Sequence, residues 1–139
     1  MDERKRKDLS RYRLERAAEE LDISRHLLAS GNYNASANRS YYAIFHALRA
    51  VLALDGFDAK KHSSIISHFN RNYVKPGVFP PDTSNLIKAA FEVRGNADYK
   101  DYYVVTPEAA QKQINDAEAI INMITHYLES CWAEITKED

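Results

Sequence analysis

The sequence predicts an all-α fold, an antiparallel bundle of four to five helices. Three observations carry this expectation. Apolar residues recur at steps of three and four along long segments, the period of a helix with one buried face. Glycine and proline number only four each and cluster between those segments, where they punctuate the chain. No segment alternates polar and apolar residues strictly enough to make a strand.

The first helix is expected from Asp8 to Ala29. Leu14, Ala18, Leu21 and Leu28 form its stripe, with Arg25 interrupting, and Gly31 suits the stop. The second is expected from Asn34 to Leu54. Ala37, Tyr41, Ile44, Leu48 and Val51 step by four and three, and Tyr42, Phe45 and Leu52 widen the apolar arc. An arc that broad must be covered on more than one side, by a dimer partner or by the rest of the bundle. Gly56 closes this helix. A shorter one follows from Ser63 to Tyr73, with Ile65, Ile66, Phe69 and Tyr73. Lys75 to Pro81 holds three prolines and a glycine and reads as a loop. The fourth helix starts at Asp82 or Thr83, either of them a good N-cap, carries Leu86, Ala90, Val93 and Ala97, and frays over Asp98 to Tyr103. The fifth opens with Thr106 as N-cap, Pro107 in the first turn and Glu108 against the dipole. Its stripe of Ala110, Ile114, Ala117, Ile121, Ile124 and Leu128 suits antiparallel packing.

A chain of 139 residues favours one domain, here 1–139, with 1–8 a charged N-terminal arm and 130–139 a C-terminal tail. Hydrophobic residues make up 45% and charged residues 28%, an ordinary globular balance. The net charge of -1 supplies no global field for nucleic acid, so an anionic ligand would need a local basic patch. Cys131 stands alone, which excludes an internal disulfide framework and a cysteine-rich zinc site. With no secretory leader pattern and no long apolar run, a cytoplasmic protein without membrane contact is expected. The histidines lack metal-ligand spacing and there is no glycine-rich phosphate loop, so neither metal nor cofactor is expected.

Several constellations could carry chemistry. Arg94 and Asp98 are four residues apart on one helix face, either a plain ion pair or a cation held in a cleft to face phosphate. Arg39, Tyr42, His46 and Arg49 share a face of the second helix and could bind an anion or serve as an acid–base surface; equally, they could be a strip between core and water. His62, beside Lys60 and Lys61, could touch phosphate or merely solvate a loop-to-helix junction. Arg4, Lys5, Arg6, Lys7, Arg11, Arg13 and Arg16 crowd the first turns, as a solvated end or as an arm for RNA. Tyr99, Tyr102 and Tyr103 could stack on bases or cap the bundle.

Gly31-Asn32-Tyr33 leading into Arg39-Ser40-Tyr41-Tyr42-Ala43-Ile44-Phe45-His46-Ala47 resembles the second helix of HEPN domain proteins. His62, then Phe69-Asn70-Arg71-Asn72-Tyr73-Val74-Lys75, then Arg94-Gly95-Asn96-Ala97-Asp98-Tyr99 extend the likeness, which covers Leu9 to Leu128. It is most similar to a small-protein branch with Arg-x-x-x-Asp-Tyr in the fourth helix. The resemblance implies a helical bundle that forms a two-fold dimer and carries RNA or nucleotide in the dimer cleft. It implies a metal-independent endoribonuclease or toxin whose Arg-x(4 to 6)-His motif does the chemistry, and a minimal nucleotidyltransferase as partner or antitoxin. In some relatives that partner nucleotidylates a tyrosine near the motif. Carried over, Arg94 matches the arginine, and Asp98 and Tyr99 complete the catalytic set. Arg39, Tyr42, His46, Arg49 and His62 would contact RNA or nucleotide. Tyr99, Lys100 and Asp101 stand where the histidine would fall, a departure that leaves open a non-catalytic role as a binding or regulatory subunit for the nucleotidyltransferase.

Overall fold

A computed structural model describes residues 1–138. The chain forms α1 (Glu3–Ala29), α2 (Tyr33–Asp55), α3 (His62–Phe69), a π-helical turn (Asn70–Val74), α4 (Asp82–Tyr99) and α5 (Pro107–Glu138). Among the described residues there is no strand. None of these helices is long and apolar enough to cross a membrane.

The centre of the bundle is α2, which packs against α1, α3, α4 and α5. Its wide apolar arc explains this position: Ala43, Ala47, Leu48, Ala50, Val51 and Leu52 are fully enclosed by the chain's own helices. The α5 stripe from Ala110 to Leu128 is buried throughout, so its periodicity is sufficient to orient it. Phe69, Phe79 and Tyr73 stack at one end, where Tyr127 meets Phe79 edge-on at 5.3 Å.

Helix ends follow local chemistry where a special residue is present. Gly31, at φ 85°, takes the left-handed step after α1, and the Asn32 amide returns to the Leu27 carbonyl. Thr106 Oγ1 accepts from the Ala109 amide at 3.1 Å and starts α5. Other boundaries differ from expectation. Helix α1 begins at Glu3, ahead of Asp8, because Asp2 caps it by accepting from the Lys5 amide at 2.9 Å. Helix α5 continues to Glu138, and residue 139 of the expected tail lies outside the described residues. The third helix loses α geometry at Asn70, where a π turn rotates Tyr73 and Val74 into the core. Asp82 and Thr83 do not cap α4: Pro81 holds that position and Thr83 is buried one step inside.

The largest correction concerns α1. Its buried face runs through Ser10, Arg13, Ala17, Glu20, Leu21 and Ser24, while Ala18 of the expected stripe is exposed. Polar groups enter the core because α2 supplies partners. Ser10 Oγ donates to the Ala50 carbonyl at 2.7 Å, and Ser24 Oγ donates to the Ser36 carbonyl at 2.9 Å. Small hydroxyl side chains let the two helices approach closely while both buried serine oxygens stay bonded.

Candidate functional site

The last turns of α4 cross α2 near its start, which brings Arg94 over two consecutive tyrosines. Arg94 Nη2 donates to Tyr42 Oη at 2.8 Å, and its Nε lies 3.1 Å from Asp98 Oδ2. The guanidinium carbon sits 5.3 Å from the Tyr41 ring centre, 5.4 Å from Tyr42 and 5.7 Å from Tyr99. Three aromatic faces and one carboxylate therefore fix the cation. Burial alone would lower its pKa, but the Tyr42 phenol and Asp98 outweigh burial and raise it, so Arg94 stays charged. The spacing of Arg94 and Asp98 makes the expected i,i+4 pair, and Asn38 extends it by donating to Asp98 Oδ2 at 2.9 Å.

His62, the first residue of α3, joins this cluster. Its Nδ1 is hydrogen-bonded to Tyr41 Oη at 2.8 Å, and its ring stacks on Phe45 with centres 4.0 Å apart. It is half-buried and built into the aromatic shelf, so the reading as loop solvation fails. Burial, then the charges of Arg94 and Arg49, lower its pKa below the ordinary 6.5. Burial pushes the Tyr41 phenol well above its usual range, so it remains protonated beside the imidazole. The Nδ1 contact leaves Nε2 for solvent or a ligand.

The remaining face of α2 holds Arg39, His46 and Arg49, which do lie together. Arg39 stacks over Tyr42 at 5.0 Å, uses Nε and Nη2 on Asn38 Oδ1, and places Nη1 3.1 Å from Glu20 Oε2. Arg49 pairs with Asp58 at 3.0 Å. His46 lies between them, its ring 6.4 Å from that of Tyr42. Burial, then Arg16, Arg49, Arg13 and Arg39, push its pKa down to about 4. No local signal marks Glu20, Arg13 or Asp58 as members of this face, because they come from α1 and from the loop after α2. Asn38 is adjacent to Arg39 in sequence, but its bond to Asp98 depends on the crossing of α4.

The three clustered tyrosines separate. Tyr99 is 76% exposed beside Arg94 and Tyr102 is fully exposed, whereas Tyr103 is half-buried near Tyr33 and Val93. Among the described residues no group of three or more His, Cys, Asp or Glu side chains could hold a metal ion. The shelf is an open strip of cations over aromatic rings, chemically suited to a phosphate-bearing ligand laid along α2.

Fold and site together define an all-α bundle with an arginine fixed on a central aromatic helix. The chain belongs to the HEPN domain family, whose pattern matches residues 10–128. It is 31% identical over 118 residues to a UPF0332 protein of Thermotoga maritima, covering 85% of this chain and 89% of the relative. It is 30% identical over 116 residues to a Methanocaldococcus jannaschii protein named "Putative toxin MJ0605", covering 84% of this chain and 86% of that one. Two solved structures share the fold. TT1696 from Thermus thermophilus matches with TM-score 0.71 at 19% identity, over 84% of this chain and 96% of that chain. ST0689, an archaeal HEPN homologue, matches with TM-score 0.63 at 21% identity, over 86% and 97%.

Proposed function

We propose that this chain is the toxin-like HEPN component of a two-protein module, working as a homodimer with a minimal nucleotidyltransferase as its partner. In this reading the cleft at Arg94 binds the phosphate of RNA or of a nucleotide. The observation that carries it is the fixed guanidinium of Arg94, held by Asp98 and Tyr42 on an aromatic shelf with an imidazole on the other side of Tyr41. The relative named as a toxin supports the biological role.

For cleavage, Arg94 would steady the charge that develops on the phosphate. The missing histidine after Arg94 would be replaced in space by His62, whose Nδ1 is anchored to Tyr41 and whose Nε2 would exchange the proton. His46 is the other candidate substitute; it sits among Arg13, Arg16, Arg39 and Arg49, and its depressed pKa makes it a weak base. Tyr99, exposed and next to Arg94, would be the tyrosine that the partner nucleotidylates. A binding-only role is favoured by one observation: Arg94 already has Asp98 and Tyr42 as partners, so it is also a structural tie between α4 and α2.

The test is RNA cleavage and RNA binding by purified protein with chelator present, for wild type, Arg94→Gln and His62→Gln. Cleavage by wild type that is lost in both variants, with RNA still bound by His62→Gln, supports the catalytic reading. Binding without cleavage, weakened by Arg94→Gln, supports the regulatory subunit. Equal RNA binding by wild type and Arg94→Gln, with no difference in cleavage between them, overturns both.

A further inference from the structure

Beyond the Arg94 shelf, α1 and α2 build a second concentration of positive charge. Three carboxylates are shared among four guanidiniums, Glu19 lying 3.9 Å from Arg16. Glu20 lies 3.6 Å from Arg16 and 3.1 Å from Arg39, and Asp58 lies 3.3 Å from Arg13 and 3.0 Å from Arg49. One positive charge is therefore left over along this face of a chain whose net charge is only -1. His46 sits in the middle and adds none, since burial and these four arginines hold its ring neutral. The Nε atom of Arg49 is buried without a hydrogen-bond partner. Yet the side chains of Arg16, Arg39 and Arg49 retain 41%, 36% and 26% of their exposure, so a ligand can reach them. Packing surplus like charge around a half-buried ring opposes folding unless an anion offsets it. The rings beside His46, Tyr42 at 6.4 Å and Phe45 at 6.3 Å between centres, contribute no negative charge, so Glu19, Glu20 and Asp58 are the anions of this face.

We propose that this arginine ring around His46 is a second phosphate subsite, placed to take a neighbouring phosphate of a single polynucleotide strand whose first phosphate lies at Arg94. The inference rests on the reading of Arg94 as a phosphate contact for its strand direction, but the subsite itself stands on the charge geometry alone. Arg39 connects the two, stacked on Tyr42 at 5.0 Å while pairing with Glu20. From Tyr42 to Arg49 the helix rises about 10 Å, too far for one phosphate and within reach of successive phosphates on one strand. Binding there would let His46 take up a proton, because an added dianion reverses the sign of its surroundings.

The experiment follows the His46 ring by NMR, assigned with His46→Gln, in wild type and in Arg16→Gln/Arg49→Gln. Pyrophosphate is the first probe and a uridine tetranucleotide the second, with uridine monophosphate as control. Pyrophosphate should raise the titration midpoint of His46 by about one pH unit in wild type and leave the double variant unmoved. The tetranucleotide should bind more tightly than the monophosphate, and the double variant should lose that advantage together with about 0.7 of the salt-dependence slope per phosphate contact. No movement of His46 with pyrophosphate overturns the subsite, whatever happens at Arg94. A pyrophosphate response without any advantage for the tetranucleotide overturns the strand and leaves a site for free phosphate. In Arg94→Gln, a retained pyrophosphate shift with lost tetranucleotide binding supports two separate contacts on one strand. A pyrophosphate shift abolished by Arg94→Gln contradicts an independent subsite.

Discussion

The neutral imidazole of His46 makes acid stability a readout of its burial and of the arginines that α1 and α2 place around it. An unfolded chain protonates this ring below its ordinary 6.5, whereas the folded chain resists until about 4. The unfolded state therefore binds more protons in that window. Stability is complete above it, falls as pH drops through it, and loses nothing more from this group below about 4. At about pH 5 the unscreened difference is about 2 kcal/mol, from ~1.4 kcal/mol per tenfold change in protonation over roughly one and a half pH units. The ring is half-buried, and solvent screening of the surrounding guanidiniums reduces this to about 1 kcal/mol. Urea unfolding followed by circular dichroism at about pH 7.5 and about pH 5, for wild type and His46→Gln, measures it. The wild type should lose about 1 kcal/mol more than the variant across the interval, above the onset of most carboxylate titration. His62 shifts in the same direction but is common to both proteins. Equal losses in the two proteins would refute the claim that burial, together with the four arginines, suppresses protonation of His46.

Two further outcomes test other parts of the structure. Arg94→Gln removes a positive charge that lowers the His62 pKa, so the NMR titration midpoint of His62 should move up toward its ordinary 6.5; an unmoved midpoint would place the two groups out of electrostatic contact. Ser10→Ala removes a fully buried hydroxyl that bonds the Ala50 carbonyl at 2.7 Å and accepts from Trp132 Nε1 at 3.1 Å. It should lower stability in urea by about 1–2 kcal/mol and change the emission of Trp132, and an unchanged spectrum would contradict the α1–α5 contact.

The helical seam of α5 and the apolar core of α2 are legible because each records its own burial locally: period and side-chain type are sufficient when the buried residues are apolar. Gly31 and Thr106 are legible for the same reason, since a left-handed turn and a first-turn cap are properties of a few adjacent residues. Arg94 with Asp98 can also be paired from spacing alone. The departures share a different cause. The apolar stripe expected for α1 holds at Leu14, Leu21 and Leu28 but fails at Ala18, and the buried face widens to Ser10, Arg13, Glu20 and Ser24, because a polar side chain goes inside only where a distant segment satisfies it. For Arg13 that segment supplies Asp58 and the Arg49 carbonyl. The α4 cap differs from expectation because Pro81 takes the cap position and Thr83 packs inward.

The sequence by itself determined an all-α chain, the identity of its central and closing helices, and a likeness to HEPN domains that the family match bears out. Only the tertiary structure decided which cations act together. It set Arg94 against Tyr42, tied His62 to Tyr41, and gathered Arg13, Arg16, Arg39 and Arg49 around His46. The physical reason is range. Helical periodicity is written in neighbours three and four residues apart, whereas these charges meet across separate helices, where packing brings together residues that no local pattern connects.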